Sequence, residues 1–162
     1  MLKNLVFAAI ILISIASCKS SKKKAFDYSE NFVKKEKSIS DDITKTEEKV
    51  ARYAAVQQYD SIAIAGEKME KLVDDKIQEI KKEPVPDVKE AANFKEACIK
   101  YFTFIKALYT AYKDFGKASS DTEREAVRTK LVELTDKKQA VIDDIKAAQK
   151  KFADANDFKL EK

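Results

Sequence analysis

The stretch 94-FKEACIKYFTFIKALYTAYKDF-115 holds the densest set of large apolar residues in the body of the chain, and its reading decides the fold. Phe94, Ala97, Cys98, Tyr101, Phe102, Phe104, Ile105, Leu108, Tyr109, Tyr112 and Phe115 recur at steps of three and four, which predicts a helix over 88–115. The apolar arc is wider than the single stripe of an ordinary surface helix. This helix must therefore meet more than one neighbour.

Working outward, the neighbours are visible on both sides. Pro84 and Pro86 break the chain ahead of it, and Asp87 with Glu90 three residues on has the spacing of a capping box. Before the prolines, Ile62, Ala65, Met69, Leu72, Val73, Lys76 and Ile80 predict a helix over 61–82, with Asp60 or Ser61 as N-cap. Earlier still, Phe32, Ile39, Ile43, Thr46, Val50 and Tyr53 predict one over 29–57. Ser38, Ser40, Asp41 and Asp42 make its opening polar enough to fray. Downstream, Gly116 suits a C-cap, and Ser120 with Glu123 forms a capping box for a fourth helix over 121–155. Its stripe is Val127, Leu131, Leu134, Val141, Ile145, Ala148 and Phe152. Lys138 interrupts that stripe and is expected to snorkel. Phe158 and Leu160 either fold back on the body or belong to a disordered tail. With only two Gly and two Pro, helices are favoured throughout. Short connections then imply an all-α fold, an antiparallel up-down four-helix bundle with long helices.

The N-terminus follows other rules. After Lys3, the apolar run Leu5 to Ala16 has 12 residues, fewer than the roughly 20 that span a bilayer. It has the length of a signal peptide's apolar region. The run closes on Ile15-Ala16-Ser17-Cys18, which resembles a bacterial lipobox at all four positions. An ordinary secretory signal cut near Ser17 would leave Cys18 incidental, but a cysteine directly after Ala-Ser at this point favours the lipobox. The resemblance implies that residues 1–17 are removed and that Cys18 is acylated, so that the protein is held at a membrane by more than one chain. The expected organisation is thus a signal peptide over 1–17, a lipidated basic tether over 18–27 and one helical-bundle domain over 28–162. Lys19 to Ala25 is polar and charged of one sign, and reads as flexible.

Charge and composition exclude several functions. Without Lys3 in the signal and Lys19, Lys22, Lys23 and Lys24 in the tether, 27 basic groups face 28 acidic ones. Such a body has no long-range field to gather nucleic acid, and no nucleic-acid partner is expected. Histidine is absent, which removes Ser-His and Cys-His catalysis and the Glu-x-x-His ligands of di-iron bundles. Cys98 would be the sole thiol once Cys18 is acylated, and it falls on an apolar face, where a buried core residue is expected. Asp41-Asp42, Asp74-Asp75 and Asp143-Asp144 fall on solvated faces. The expectation is a protein that is not an enzyme, with no catalytic residue, no metal site and no cofactor.

Tyr59-Asp60 at the first turn, the aromatic helix from Phe94 to Tyr112 and the closing segment from Ala147 to Leu160 together resemble helical envelope lipoproteins of unknown function found in spirochaetes and Bacteroidetes. That resemblance brings no catalytic or binding residues. It implies an envelope location, at the outer rather than the inner membrane. Lipoproteins sent to the exterior in some Gram-negative phyla resemble one another in acidic residues after the cysteine. This tether is basic, so the periplasmic face is expected ahead of the cell surface. Two functions remain open: a structural or interaction module for an envelope protein, or a carrier of a small lipid-like ligand among Tyr101, Phe104, Ile105, Leu108 and Tyr112. A carrier needs a pocket of roughly 300 Å³ or more, whereas a module needs only a close-packed core.

Overall fold

The computed structural model describes residues 20–160 as four helices, α1 (Ser20–Ala55), α2 (Tyr59–Lys82), α3 (Ala91–Lys117) and α4 (Asp121–Ala155). Cross-links between helices give the directions. Asn31 and Lys35 near the start of α1 meet Glu83 just past α2. Glu67, Glu70 and Asp74 of α2 meet Lys117, Lys113 and Lys106 of α3 in reverse order. Phe94 at the start of α3 stacks on Phe152 near the end of α4, with ring centroids 4.9 Å apart. Each helix therefore runs antiparallel to the next, and the fold is an up-down-up-down four-helix bundle.

The core is a single apolar cluster to which all four helices contribute, with Phe94, Tyr101, Phe102, Ile105, Leu108 and Tyr109 of α3 at its centre. The wide arc of α3 meets α2 and α4 along its length and reaches α1 through Phe32. The stripes of α2 and α4 are close to those expected, but Ile77 and Gly66 also face inward on α2. On α4, Ile142, Gln149 and Ala153 are buried, while Val127, Leu134, Val141 and Ala148 are only half-buried.

Several helix ends differ from the sequence expectation. Helix α1 begins at Ser20 rather than near Ser29, so the expected tether over 18–27 is helical from Ser20 onward. The reason is burial. Ala25, Phe26 and Ser29 are all enclosed, and the Phe26 ring meets Phe158 edge-on at 6.1 Å. The tail thus folds back on the bundle. Cys18, Lys19 and the apolar run before them lie outside the described residues. Helix α2 starts at Tyr59, with neither Asp60 nor Ser61 as its cap. Asp87 and Glu90 do not form a capping box either: α3 starts at Ala91, and Glu90 is itself the N-cap, in a left-handed conformation with φ 60°. The Ser120 cap does form, with the return bond of the expected box displaced by one residue. Ser120 Oγ accepts from the Glu123 N–H at 3.2 Å, while Glu123 reaches back to the N–H of Ser119 at 2.7 Å.

Gly116 lies inside α3, not at its end. A Cβ there would collide with the backbone of Tyr59 and Ala63 in α2. Gly66 of α2 is its counterpart, since a Cβ on it would stand 2.5 Å from the Lys113 nitrogen of α3. Both glycines serve close helix approach. The left-handed positions that commonly take glycine hold Gln57 and Asp157 instead. At each, the following N–H bonds back five residues, Gln58 to Tyr53 O and Phe158 to Ala153 O, in the manner of a Schellman cap.

Candidate functional site

The chemistry-bearing side chains of the interior lie where α1, α3 and α4 converge. Helical periodicity puts Glu36 and Glu47 of α1 in line with Phe32, Ile39, Ile43 and Val50, on the face that looks inward. Tyr101 and Tyr112 of α3 have the same separation as these two glutamates, 11 residues, or three turns, so two equivalent pairs form. Tyr101 donates its hydroxyl hydrogen to Glu36 Oε1 at 2.6 Å, and Tyr112 donates to Glu47 Oε2 at 2.9 Å. A third polar link, Gln149 Nε2 to Ser29 Oγ at 3.2 Å, ties α4 to α1 near their shared end.

The electrostatics follow from burial. Glu36 is almost wholly enclosed. Burial raises the pKa of Glu47 above its usual range, although hydrogen bonding to Tyr112 and Tyr109 and the charge of Lys138 pull the other way. Lys138 of α4 is half-buried and shifted down by the same desolvation, with Glu47 opposing the shift. It faces a carboxylate as well as reaching toward water. Burial, reinforced by Glu36 and Glu47 respectively, keeps Tyr101 and Tyr112 protonated far above neutral pH. These groups tie helices together.

Cys98 is buried and its thiol is pushed up by desolvation, helped by the charges of Glu83 and Glu36, as its apolar-face position implies. The space beside it, between Tyr28, Phe32 and Phe94, is about 10 Å³, at most one water's worth.

No protein-family model, curated protein or solved structure matches the chain.

Of the five residues of the carrier reading, Tyr101, Ile105, Leu108 and Tyr112 are in the core and Phe104 is half-buried beside it. Only Tyr101 lines the open groove of about 520 Å³ between α3 and α4, whose walls include Asn93, Glu96, Lys100, Asp144 and Ile145. That groove is rimmed by charge, Glu96 and Lys100 pairing across one turn at 3.1 Å. The five residues do not surround a common space there. No described helix is long and apolar enough to cross a membrane.

The glutamates of the interior pairs were not singled out by the sequence reading. A signal for them exists: the stripe of α1 skips from Phe32 to Ile39, where Glu36 stands at the missing step, and between Ile43 and Val50 it holds only the polar Thr46, with Glu47 beside it.

Proposed function

We propose that the chain is a membrane-anchored envelope lipoprotein that acts as a non-enzymatic structural or interaction module. One observation supports this reading over the carrier: Tyr101, Ile105, Leu108 and Tyr112 are core residues packed in one apolar cluster, and of the five only Tyr101 lines the groove of about 520 Å³ between α3 and α4. Their hydroxyls are spent on Glu36 and Glu47, which join α1 to α3. What remains for a partner is the outer surface of a stiff rod whose longest helix, at 36 residues, measures roughly 54 Å.

The anchor is tested by Cys18→Ser in the native host. Metabolic labelling with a fatty acid should mark the wild type and not the variant; label on both would remove the anchor from Cys18. Cross-linking in intact envelopes, followed by pull-down, should return a defined protein partner. Mass spectrometry finding instead a stoichiometric lipid released on denaturation, beyond the covalent acyl chains, would replace the module with the carrier.

A further inference from the structure

We infer that the end of the bundle where α1 begins is a second membrane contact, docking on the anionic headgroups of a phospholipid surface. The inference rests on the lipobox reading of Cys18 and adds to it an orientation. Ser20, the first helical residue, is two residues beyond Cys18, and two residues of chain reach no more than roughly 7 Å. An acylated Cys18 therefore keeps this end of the bundle within reach of the bilayer surface, and the charge of the end decides whether it lies against the headgroups.

Charge at that end is suited to the position. The helix directions bring together the start of α1, the end of α2, the 83–90 connection and the tail after α4. Lys24, Lys81, Lys82, Lys89 and Lys159 are exposed there. The carboxylates Asp27, Glu30, Glu83, Glu90 and Asp154 of the same region are each paired with another lysine, Lys23, Lys34, Lys35, Lys151 and Lys150. Glu79 in the last turn of α2 pairs likewise with Lys76, and Asp87 and Asp157 are the exposed carboxylates that remain among the described residues there. Val85, held out between Pro84 and Pro86 and 45% exposed, supplies an apolar tip among the lysines. The opposite end is built differently. Its Arg124 and Arg128 lie over the Tyr59 and Phe115 rings and pair with Asp121 and Glu125, so their charge is taken up locally.

The test uses the processed protein purified from membranes, with a nitroxide on Val85→Cys or, for the far end, on Val132→Cys; Cys98 is buried and stays unlabelled. In vesicles containing phosphatidylglycerol, the label at 85 should lose several-fold in collision with a water-soluble relaxant, while the label at 132 keeps its access. Replacing Lys24, Lys82, Lys89 and Lys159 by Gln should restore access at 85; these side chains are exposed, and circular dichroism checks that the fold is kept. Equal access at 85 in phosphatidylglycerol and phosphatidylcholine vesicles, or no effect of the Gln variant, would overturn the inference. Intact mass reports acylation of Cys18 separately. Should the chain carry no acyl group, the anchor reading fails, and flotation decides the lysine-rich end. Salt-sensitive flotation with phosphatidylglycerol vesicles, falling on the order of fivefold per lysine replaced, supports it, and no flotation refutes it.

Discussion

The α2–α3 face and the α1–α4 face of this bundle are built by opposite means. Between α2 and α3 the backbones approach until only hydrogen fits at Gly66 and Gly116, and the rim is closed by the three ion pairs Glu67–Lys117, Glu70–Lys113 and Asp74–Lys106. Between α1 and α4 the backbones stay apart. That space is bridged by long side chains: the Ser29–Gln149 hydrogen bond, the Tyr28–Phe152 and Phe26–Phe158 ring contacts, and Glu47 beside Lys138. The difference shows how one fold divides its work. Dispersion at short range holds the inner hairpin, whereas polar pairs that are costly to leave half-made specify where the outer helices sit.

The largest effect should come from the core the two faces share. Ile105→Ala removes a wholly buried side chain and should cost about 2 to 5 kcal/mol in denaturant unfolding, because the rigid surroundings leave a cavity. A loss below about 1 kcal/mol would mean that the space around α3 was loose already. Next, Gly116→Ala should cost about 3 kcal/mol, the upper end for overpacking, since the new methyl meets backbone rather than a movable side chain. If it proved neutral, the α2–α3 face would not be the tight one.

The two faces should also answer pH in opposite senses. The folded-state pKa of Glu47 lies above the ordinary 4.5. Its contribution to folding is therefore fully present below pH 4.5 and is lost as pH rises through the folded-state value. Glu47→Gln should raise the neutral-pH melting temperature relative to wild type, with the gap closing in acid. Glu70 is the reverse case: burial alone would raise it, but hydrogen bonds from Lys113 and Thr110 outweigh that and bring it below 4.5. Its contribution is present above pH 4.5 and is lost as pH falls through the folded-state value. Glu70→Gln should therefore cost stability at neutral pH, no more than about 1 kcal/mol for a pair this near the surface. Melting curves of both variants from neutral to acid pH check this, and parallel responses would erase the distinction.

The smallest effect isolates what glycine does when conformation, not packing, asks for it. Gln57 occupies a left-handed position with φ 57°, and Gln57→Gly should stabilise by about 0.5 kcal/mol, relief of strain less the entropy of glycine. Destabilisation would show that the Gln57 side chain contributes contacts of its own.

The core positions of α3 and the Ser120 cap were legible because each depends on spacing within one segment. Glu36 and Glu47 were harder. On α1 alone they are two charged residues among many. Only Tyr101 and Tyr112, 65 residues downstream and arriving on the neighbouring diagonal, turn them into buried acceptors. The Asp87–Glu90 spacing was read as a cap for the same local reason, and misled: Asn93 and Lys151 hold Glu90 instead.

By itself, then, the sequence determined that the chain is helical, where its prolines end α2, and that four apolar stripes must share one core. Those properties follow from local periodicity and from the scarcity of glycine and proline. Only the tertiary structure decided that α1 begins at Ser20 and that Gly116 is a packing residue rather than a cap. Both depend on partners distant in sequence, Phe158 for the first and Ala63 for the second. A helix terminus settles where burial of its last apolar residue repays the entropy of ordering it, and that burial exists only once the other helices are in place.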